Sequence, residues 1–373
     1  MNTTLIRKLR LVSGLVLLAY VTSHLVNLSL GVWSLEIMDA ARPAFMMPWQ
    51  NPLGLAVLYA SMATHMALGL YALYARRTLR MSPAEAMQLV MALILPPLLV
   101  MHLLGTRVVS LMIDVEASYT WLMVIYWKWL PWTGLRQILV VMVAWIHGCM
   151  GFYYWAHLQN WWHRSAPIIY PLALIVPVMA LLGFVEGGKQ ALALAQDAAW
   201  MHALIARSGV DDVTLASLYH LQNVLLVSYA SVVALVLCLR AWRLHRRPSD
   251  FTLRVNYLHA APVESPSGVS LLEVSHLEGV PHTSMCGGKG RCGTCRVRIL
   301  EGGHFLPKPS PLEAETLRRI EADADVRLAC QTVPLGSPIT ISRLVGIGAQ
   351  VEAARAPSTE PLGNASELSE VSE

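Results

Sequence analysis

The stretch that decides the fold runs Met285-Cys286-Gly287-Gly288-Lys289-Gly290-Arg291-Cys292-Gly293-Thr294-Cys295-Arg296, followed downstream by Arg327-Leu328-Ala329-Cys330-Gln331-Thr332. Its cysteines are spaced C-x5-C-x2-C-x34-C. Such spacing suits a centre of two irons, with three thiolates on one tight loop and the fourth on a distant element. Gly287, Gly288, Gly290 and Gly293 allow sharp turns that aim backbone N–H groups at anionic sulfurs. Lys289, Arg291 and Arg296 bring positive charge to the same place. The competing reading is a four-cysteine zinc site. Zinc knuckles come as two C-x2-C pairs, whereas here one pair has a single cysteine upstream and another far downstream. Cys286, Cys292, Cys295 and Cys330 therefore predict a [2Fe–2S] cluster.

Outward from the loop, the pattern predicts a strand over 251–258, a helix over 270–278 and a strand over 296–300. A second helix is expected over 311–320 and a closing strand over 338–344. With these elements, the cysteine run and the segment around Cys330 resemble the β-grasp ferredoxins over residues 250–346. The five-residue first gap is closer to the adrenodoxin-like branch than to the plant-type gap of four. The resemblance implies an α+β fold. Glu313, Glu315, Glu321, Asp323 and Asp325 offer either a docking face for a basic partner or a solvated helix face, the acid being interrupted by Arg318 and Arg319. Residues 347–373 are polar, rich in Ser, Glu, Ala and Pro, and read as a disordered tail.

Upstream the composition changes character. Over all 373 residues only 14% are charged and 55% are hydrophobic, and the mean hydropathy is +0.48. A net charge of +4 gives no case for nucleic acid. Apolar runs over 9–30, 53–75, 86–112, 135–158, 167–187 and 215–242 are each long enough to cross a bilayer. The prolines in the third and fifth are tolerable in membrane helices. Arg7, Lys8 and Arg10, then Arg76, Arg77 and Arg80, then His163 and Arg164, then Arg240, Arg243, Arg246 and Arg247 all fall on one side of a six-span arrangement. Opposite them lie Glu36, Asp39, Asp114, Glu116, Asp197, Asp211 and Asp212. The positive-inside rule places both termini in the cytoplasm of a multi-pass protein, read as residing in a bacterial inner membrane. Trp121, Trp127, Trp129 and Trp132 suit an outer interfacial belt, and 189–207 reads as an outer amphipathic helix. The apolar stretch after the basic N-terminus is too long for a signal peptide and lacks a small-residue cleavage site. Residues 1–245 thus form an all-α six-helix transmembrane bundle, joined by the short segment 243–250 to the domain at 250–346. That domain would lie in a reducing compartment, which disfavours disulfides. Cys149 and Cys238 read as small buried hydrophobes.

Each of the first four spans carries one deep histidine: His24, His65, His102 and His147. An ionisable residue inside a membrane is costly and marks function by default. Four imidazoles, one per helix, are the number that ligates two haems through both axial positions; hydrogen-bonding between helices is the alternative use. His24 and His102 each lie 12 residues before an outer acid, about 18 Å of helix, which pairs them and leaves His65 with His147. His157, His163, His202, His220 and His245 read as interfacial and solvated. Ser23-His24-Leu25-Val26-Asn27, His102-Leu103-Leu104-Gly105-Thr106-Arg107 and Ala144-Trp145-Ile146-His147-Gly148-Cys149 resemble the membrane modules of bacterial class III adenylate/guanylate cyclases. There a six-span, cytochrome-b-like anchor is fused to a ferredoxin domain. The resemblance implies two haem b groups and a redox front end. Fewer than 30 residues follow Gly346, too few for a cyclase domain, so nucleotide cyclisation is not expected.

The expected function is electron transfer or redox sensing between a cytoplasmic [2Fe–2S] cluster and membrane haems. An electron donor or acceptor protein in the cytoplasm is implied. Two alternatives stand beside it: a membrane oxidoreductase using quinone or an outer acceptor, and a redox-controlled partner of a separate cyclase. A homodimer is compatible with all three. No general acid/base pair or nucleophile is visible, which leaves oxidoreductase activity as the open enzymatic question.

Overall fold

The computed structural model describes residues 3–76, 78–79, 81, 83–113, 118–246 and 252–346. The expected tail, Arg77, Arg80, Asp114, Glu116, residues 247–250 of the connection and Phe251 at the start of the expected first strand lie outside them. Among the described residues, six helical segments are long and apolar enough to span a membrane: Leu5–Val32, Pro52–Ala75, Pro83–Ile113, Pro131–Ala156, Trp162–Leu194 and Asp212–His245. They contain α1 (Thr3–Ser29), α3 (Pro52–Ala75), α4 (Pro83–Leu103), α7 (Pro131–Ala156), α8 (Trp162–Leu194) and α10 (Asp212–His245). Between the first two spans lies α2 (Leu35–Gln50), and α5 (Val109–Ile113), α6 (Tyr119–Val124) and α9 (Ala198–Ser208) complete the membrane part.

The prolines are accommodated by borrowed donors. Pro97 cannot donate to the carbonyl four residues back, and the Tyr229 hydroxyl of α10 donates to Leu93 O instead, at 2.7 Å. Pro177 leaves Ala173 O free in the same way, and the Trp145 indole N–H of α7 fills it at 2.7 Å. In a bilayer no water would make good that loss. After His102 the third span widens into a π-turn over Leu104–Val108. α1 and α8 cross backbone to backbone: a Cβ on Gly31 would fall 2.4 Å from Gly183 O, and one on Gly183 would fall 2.1 Å from Leu28 O. Close approach through small residues is how apolar helices gain contact when lipid is no worse a solvent than protein. The central cluster draws on Leu25, Leu28, Met38, Met123, Val141, Trp145 and Phe184.

Several expectations are corrected here. The fifth span runs on to Leu194, so the outer helix is only Ala198–Ser208 and Lys189 belongs to the span. His157 is buried, not solvated: it stacks on Tyr153 with ring centroids 4.7 Å apart. Cys238 is exposed on the surface of α10 rather than buried. Of the tryptophans, Trp127 turns inward against Phe184 at 5.6 Å, while Trp132 stays largely exposed at 79%.

The second unit has strands β1 (Thr252–Tyr257), β2 (Ala260–Pro266), β3 (Arg296–Glu301), β4 (Val326–Leu328) and β5 (Ile339–Arg343), with helices α11 (Leu271–Leu277) and α12 (Pro311–Arg319). The mixed sheet has the order β2-β1-β5-β3-β4. β1 and β5 run parallel in the register Val255↔Ile339 and Tyr257↔Ile341. Alternation along β1 puts Leu253, Val255 and Tyr257 on one face, where they meet Leu271, Val274, Val297, Leu328 and Ile341. α11 begins with a capping box between Ser270 and Glu273. Its Leu271 and Leu272 N–H groups donate to Thr332 O at 3.0 Å and Ala329 O at 3.1 Å. The helix start is thereby tied to the segment that carries Cys330.

One of the five acids leaves the expected acidic face, while Glu315, Glu321, Asp323 and Asp325 stay exposed on it. Glu313 is buried, and its carboxylate accepts from Arg327 Nε at 2.8 Å and Arg327 Nη2 at 2.9 Å. Asp323 and Asp325 both pair with Arg298, at 2.7 and 3.1 Å. Two of the five acids thus serve β3, and a third is internal.

Candidate functional site

The four cysteines converge, with Cys286, Cys292 and Cys295 buried and Cys330 half-buried. Gly287, Gly288, Gly290 and Gly293 take left-handed φ angles of 62, 71, 63 and 77°. The resulting tight coil turns the N–H groups of Lys289, Arg291 and Cys292 onto the Cys286 sulfur. Among the described residues, no three His, Cys, Asp or Glu side chains form a set for one metal ion. The thiols instead interact as two pairs, Cys286 with Cys292 and Cys295 with Cys330, the division that a two-iron cluster needs. The hydrogen bond from Cys292, reinforced by the backbone donors, holds the Cys286 thiol well below its usual range. Cys292 is pushed up by giving that hydrogen bond and by burial. Cys295 is pushed up in the same way beside Cys330. Thr294 Oγ1 lies 3.0 Å from Cys292 Sγ, and Gln331 Nε2 donates to Cys330 Sγ at 3.3 Å. A buried Nη1 of Arg7, reaching over from α1, has no hydrogen-bond partner among the described residues. Its electrostatic neighbours include Cys286 and Cys330. A donor left in that position is what an anionic cluster would satisfy, so the donor set fits the group.

The cluster loop does not face solvent alone. Leu158, just beyond α7, packs against Cys286 and Cys292. Lys289 Nζ sits 3.8 Å above the Tyr154 ring of α7. Burial, with Arg10 and Arg291 nearby, pushes the Lys289 ammonium down to about 8. A Cβ on Gly287 would come within 2.7 Å of the Glu85 carboxylate at the start of α4, so glycine serves both the backbone angle and the contact. Tyr154 follows His147 by seven residues on the same helix, about 10 Å of rise.

The membrane histidines form two couples. The rings of His24 and His102 have centroids 5.9 Å apart, and those of His65 and His147 are 6.3 Å apart. Two imidazoles bound to opposite sides of one metal ion at about 2.0 Å would place their centroids about 6 Å apart. One ring of each couple has its Nδ1 engaged. His65 Nδ1 lies 3.2 Å from Arg10 O and 3.3 Å from Ser13 Oγ. His24 Nδ1 lies 3.4 Å from the Tyr119 hydroxyl, which donates to Asn27 Oδ1 at 3.0 Å. Engagement of Nδ1 leaves Nε2 for a metal. The Nδ1 atoms of His102 and His147 are buried with no partner among the described residues. Beside Gly69 and Gly105, one turn from His65 and His102, nothing approaches within 4 Å of an added Cβ. The donor set fits haem iron.

Sequence reasoning did not find Tyr119, Tyr154 or Arg7 as parts of these sites. Tyr119 lies 95 residues from His24 and reaches it because Asp39 accepts from the Tyr119 and Thr120 N–H groups at 2.6 and 3.0 Å. Asn27, one turn after His24, was the one local hint.

Residues 259–335 match the family model of the 2Fe-2S iron-sulfur cluster binding domain. With its six spanning helices, the chain is a multi-pass membrane protein carrying a 2Fe–2S domain of ferredoxin type. Among curated proteins, 82 of its residues are 38% identical to a component of the Na(+)-translocating NADH-quinone reductase of Yersinia pestis strain Pestoides F, covering 22% of this chain and 19% of the relative. The same component of the Klebsiella pneumoniae enzyme is 35% identical over 82 residues, again 22% and 19% of the two chains. This chain spans about a fifth of the length of these relatives. No solved structure matches it.

Proposed function

We propose that the protein passes single electrons between a [2Fe–2S] cluster on Cys286, Cys292, Cys295 and Cys330 and two haem b groups in the membrane. His65 with His147 would hold the haem nearer the cluster, and His24 with His102 the farther one. The observation that carries the reading is the coincidence of two facts. In each histidine couple two imidazoles lie close together and would hold one iron, and the cluster loop is seated on the end of the helix that carries His147. When bound, these groups supply reversible one-electron oxidation and reduction, with potentials set by burial, hydrogen bonding and charge. The protein's part is to fix ring orientation through Arg10 O, Ser13 and the Tyr119–Asn27 couple, and to exclude water from the path with Leu158 and Tyr154. By the distribution of basic residues, the cluster domain and both termini face the cytoplasm of a bacterial inner membrane. The electron partner would be a cytoplasmic protein.

The test is spectroscopic. Protein purified in detergent, oxidised and then reduced with dithionite, is assayed by pyridine haemochrome and for iron and acid-labile sulfide. About two b-type haems and one cluster per chain are expected. A cluster with no haem would refute the membrane half of the proposal.

A quinone as outer acceptor is favoured by the quinone reductase activity that the relatives of the cluster domain are named for. Steady turnover of a quinone analogue with a ferredoxin reductase tests it. The resemblance of the histidine-bearing segments to cyclase membrane modules supports a signalling use, in which the same redox chain controls a separate cyclase. Redox-dependent co-purification with such a partner would separate that use from simple conduction.

A further inference from the structure

The contact between the two domains is crowded with positive charge. Arg7 and Arg10 of α1 approach Arg291 of the cluster loop, and Lys289 stands close to both Arg10 and Arg291. Glu85 is the acid set against the loop, and Arg76 shares it at 3.6 Å. With Arg76, which also neighbours Arg10, five cations gather here, and in a half-buried place their repulsion is poorly screened. The neighbours of opposite sign are the cysteine sulfurs: Arg7 senses Cys330 and Cys286, while Lys289 and Arg291 sense Cys286. The buried Nη1 of Arg7, unpartnered among the described residues, points to the same conclusion. The contact is built around an anion.

We propose that Arg7 and Arg10 are counter-charges of the cluster reaching across the domain boundary, so that the 2Fe–2S domain grips the membrane domain more tightly when the cluster holds an extra electron. A [2Fe–2S] centre with four thiolates is doubly negative when both irons are ferric and triply negative once one is ferrous. The added charge is drawn to the arginines and offsets their mutual repulsion. Arg10, a neighbour of Arg291 and Lys289, also supplies the carbonyl beside His65 Nδ1, so a residue of the same charged contact also positions the nearer histidine couple. The reduced domain is therefore held where it can deliver its electron, and the oxidised domain is released more readily to meet a donor. The inference rests on the cluster assignment and is independent of the haems.

Hydrogen–deuterium exchange on the full chain in detergent tests it, read in membrane-side peptides covering 83–90 and 153–162. In dithionite-reduced protein these should exchange about tenfold more slowly than in oxidised protein. Lys8→Gln, an exposed neighbour, should keep that difference. Arg7→Gln/Arg10→Gln should abolish it with cluster iron and sulfide unchanged, and Arg7→Lys/Arg10→Lys should restore it. By linkage, the glutamine variant should lower the cluster midpoint potential by about 59 mV for a tenfold effect. Equal exchange in both redox states, an unchanged midpoint, or a difference that persists in the cluster-free Cys292→Ser protein would overturn the inference. Loss of haem alone leaves the test intact, whereas absence of cluster iron from the wild-type protein would refute both the inference and the function proposed above.

Discussion

Replacement of Glu313 by alanine should release the segment that carries Cys330. The Glu313 carboxylate receives Arg327 Nε and Nη2, the Leu328 N–H at 2.9 Å and Thr332 Oγ1 at 3.3 Å. Its partner guanidinium also donates to Pro307 O at 2.9 Å. With side-chain exposures of 9% and 1%, Arg327 and Glu313 form a buried pair. Removal of one member leaves an uncompensated buried charge, at a cost of about 3–5 kcal/mol. Ionisation of the survivor is not relieved by water here, and Leu328 loses its acceptor as well. With a urea dependence of about 2 kcal/mol per molar for a domain of this size, the unfolding midpoint should fall by about 2 M. The assay is bleaching of the cluster's visible absorption during urea titration of the full chain in detergent. Glu315→Ala, on the exposed side of α12, should move the midpoint by no more than about 0.3 M, in keeping with a surface change of about 0.5 kcal/mol. Glu313→Leu/Arg327→Met, which removes both charges, should recover most of the loss. A Glu313→Ala midpoint coincident with wild type would refute the reasoning and return Glu313 to the role of a surface acid.

Other outcomes follow from the same geometry. His24→Ala or His102→Ala should remove one b-type haem and leave the second, with His65→Ala and His147→Ala removing the other; pyridine haemochrome counts decide it. Serine in place of Cys286, Cys292, Cys295 or Cys330 should abolish the electron paramagnetic resonance signal of the reduced cluster, whereas Cys149→Ser and Cys238→Ser should leave it unchanged. Tyr229→Phe removes the donor to Leu93 O and should lower stability in detergent by about 1 kcal/mol, read as a fall in thermal midpoint. Ser270→Ala breaks the capping box and should cost about 1 kcal/mol in cluster-bleaching experiments.

The legible parts of the sequence were those where one physical signal stood alone. Apolar runs marked all six spans because length and hydropathy suffice. The helix expected over 270–278 is α11, whose observed extent, Leu271–Leu277, lies within those bounds. β2 went unseen because Pro262 and Pro266 depress strand propensity and its outer face is exposed; it is an edge strand paired only with β1. β4 has three residues, too few to show alternation. Pro43 and Pro48 hid α2, which is held from outside: Gln190 accepts from Leu35 N at 2.8 Å, and Asn27 donates to Met38 O at 3.0 Å. The histidine couples were legible by depth, since residues at equal distance from an outer acid lie at one level. The partners of their Nδ1 atoms were not, because Tyr119 and Arg10 reach them through tertiary packing. The internal Glu313 was hidden by its composition, since a carboxylate in an acidic, arginine-containing helix looks solvated until Arg327 folds over it.

The two histidine couples occupy different depths. His65 lies against Gly14 of α1, with its Cε1 only 2.9 Å from where a Cβ would stand, whereas His24 is ten residues further along the same helix. That separation is about 15 Å of rise, half of a hydrocarbon layer about 30 Å thick. A charge moved from one couple to the other thus crosses about half the electric field of the membrane. The work involved is about 1 kcal/mol for each 100 mV. With the proposed haems in place, a membrane potential of about 100 mV would bias the distribution of an electron between the two levels roughly sevenfold, which would make transmembrane voltage a variable of the bundle.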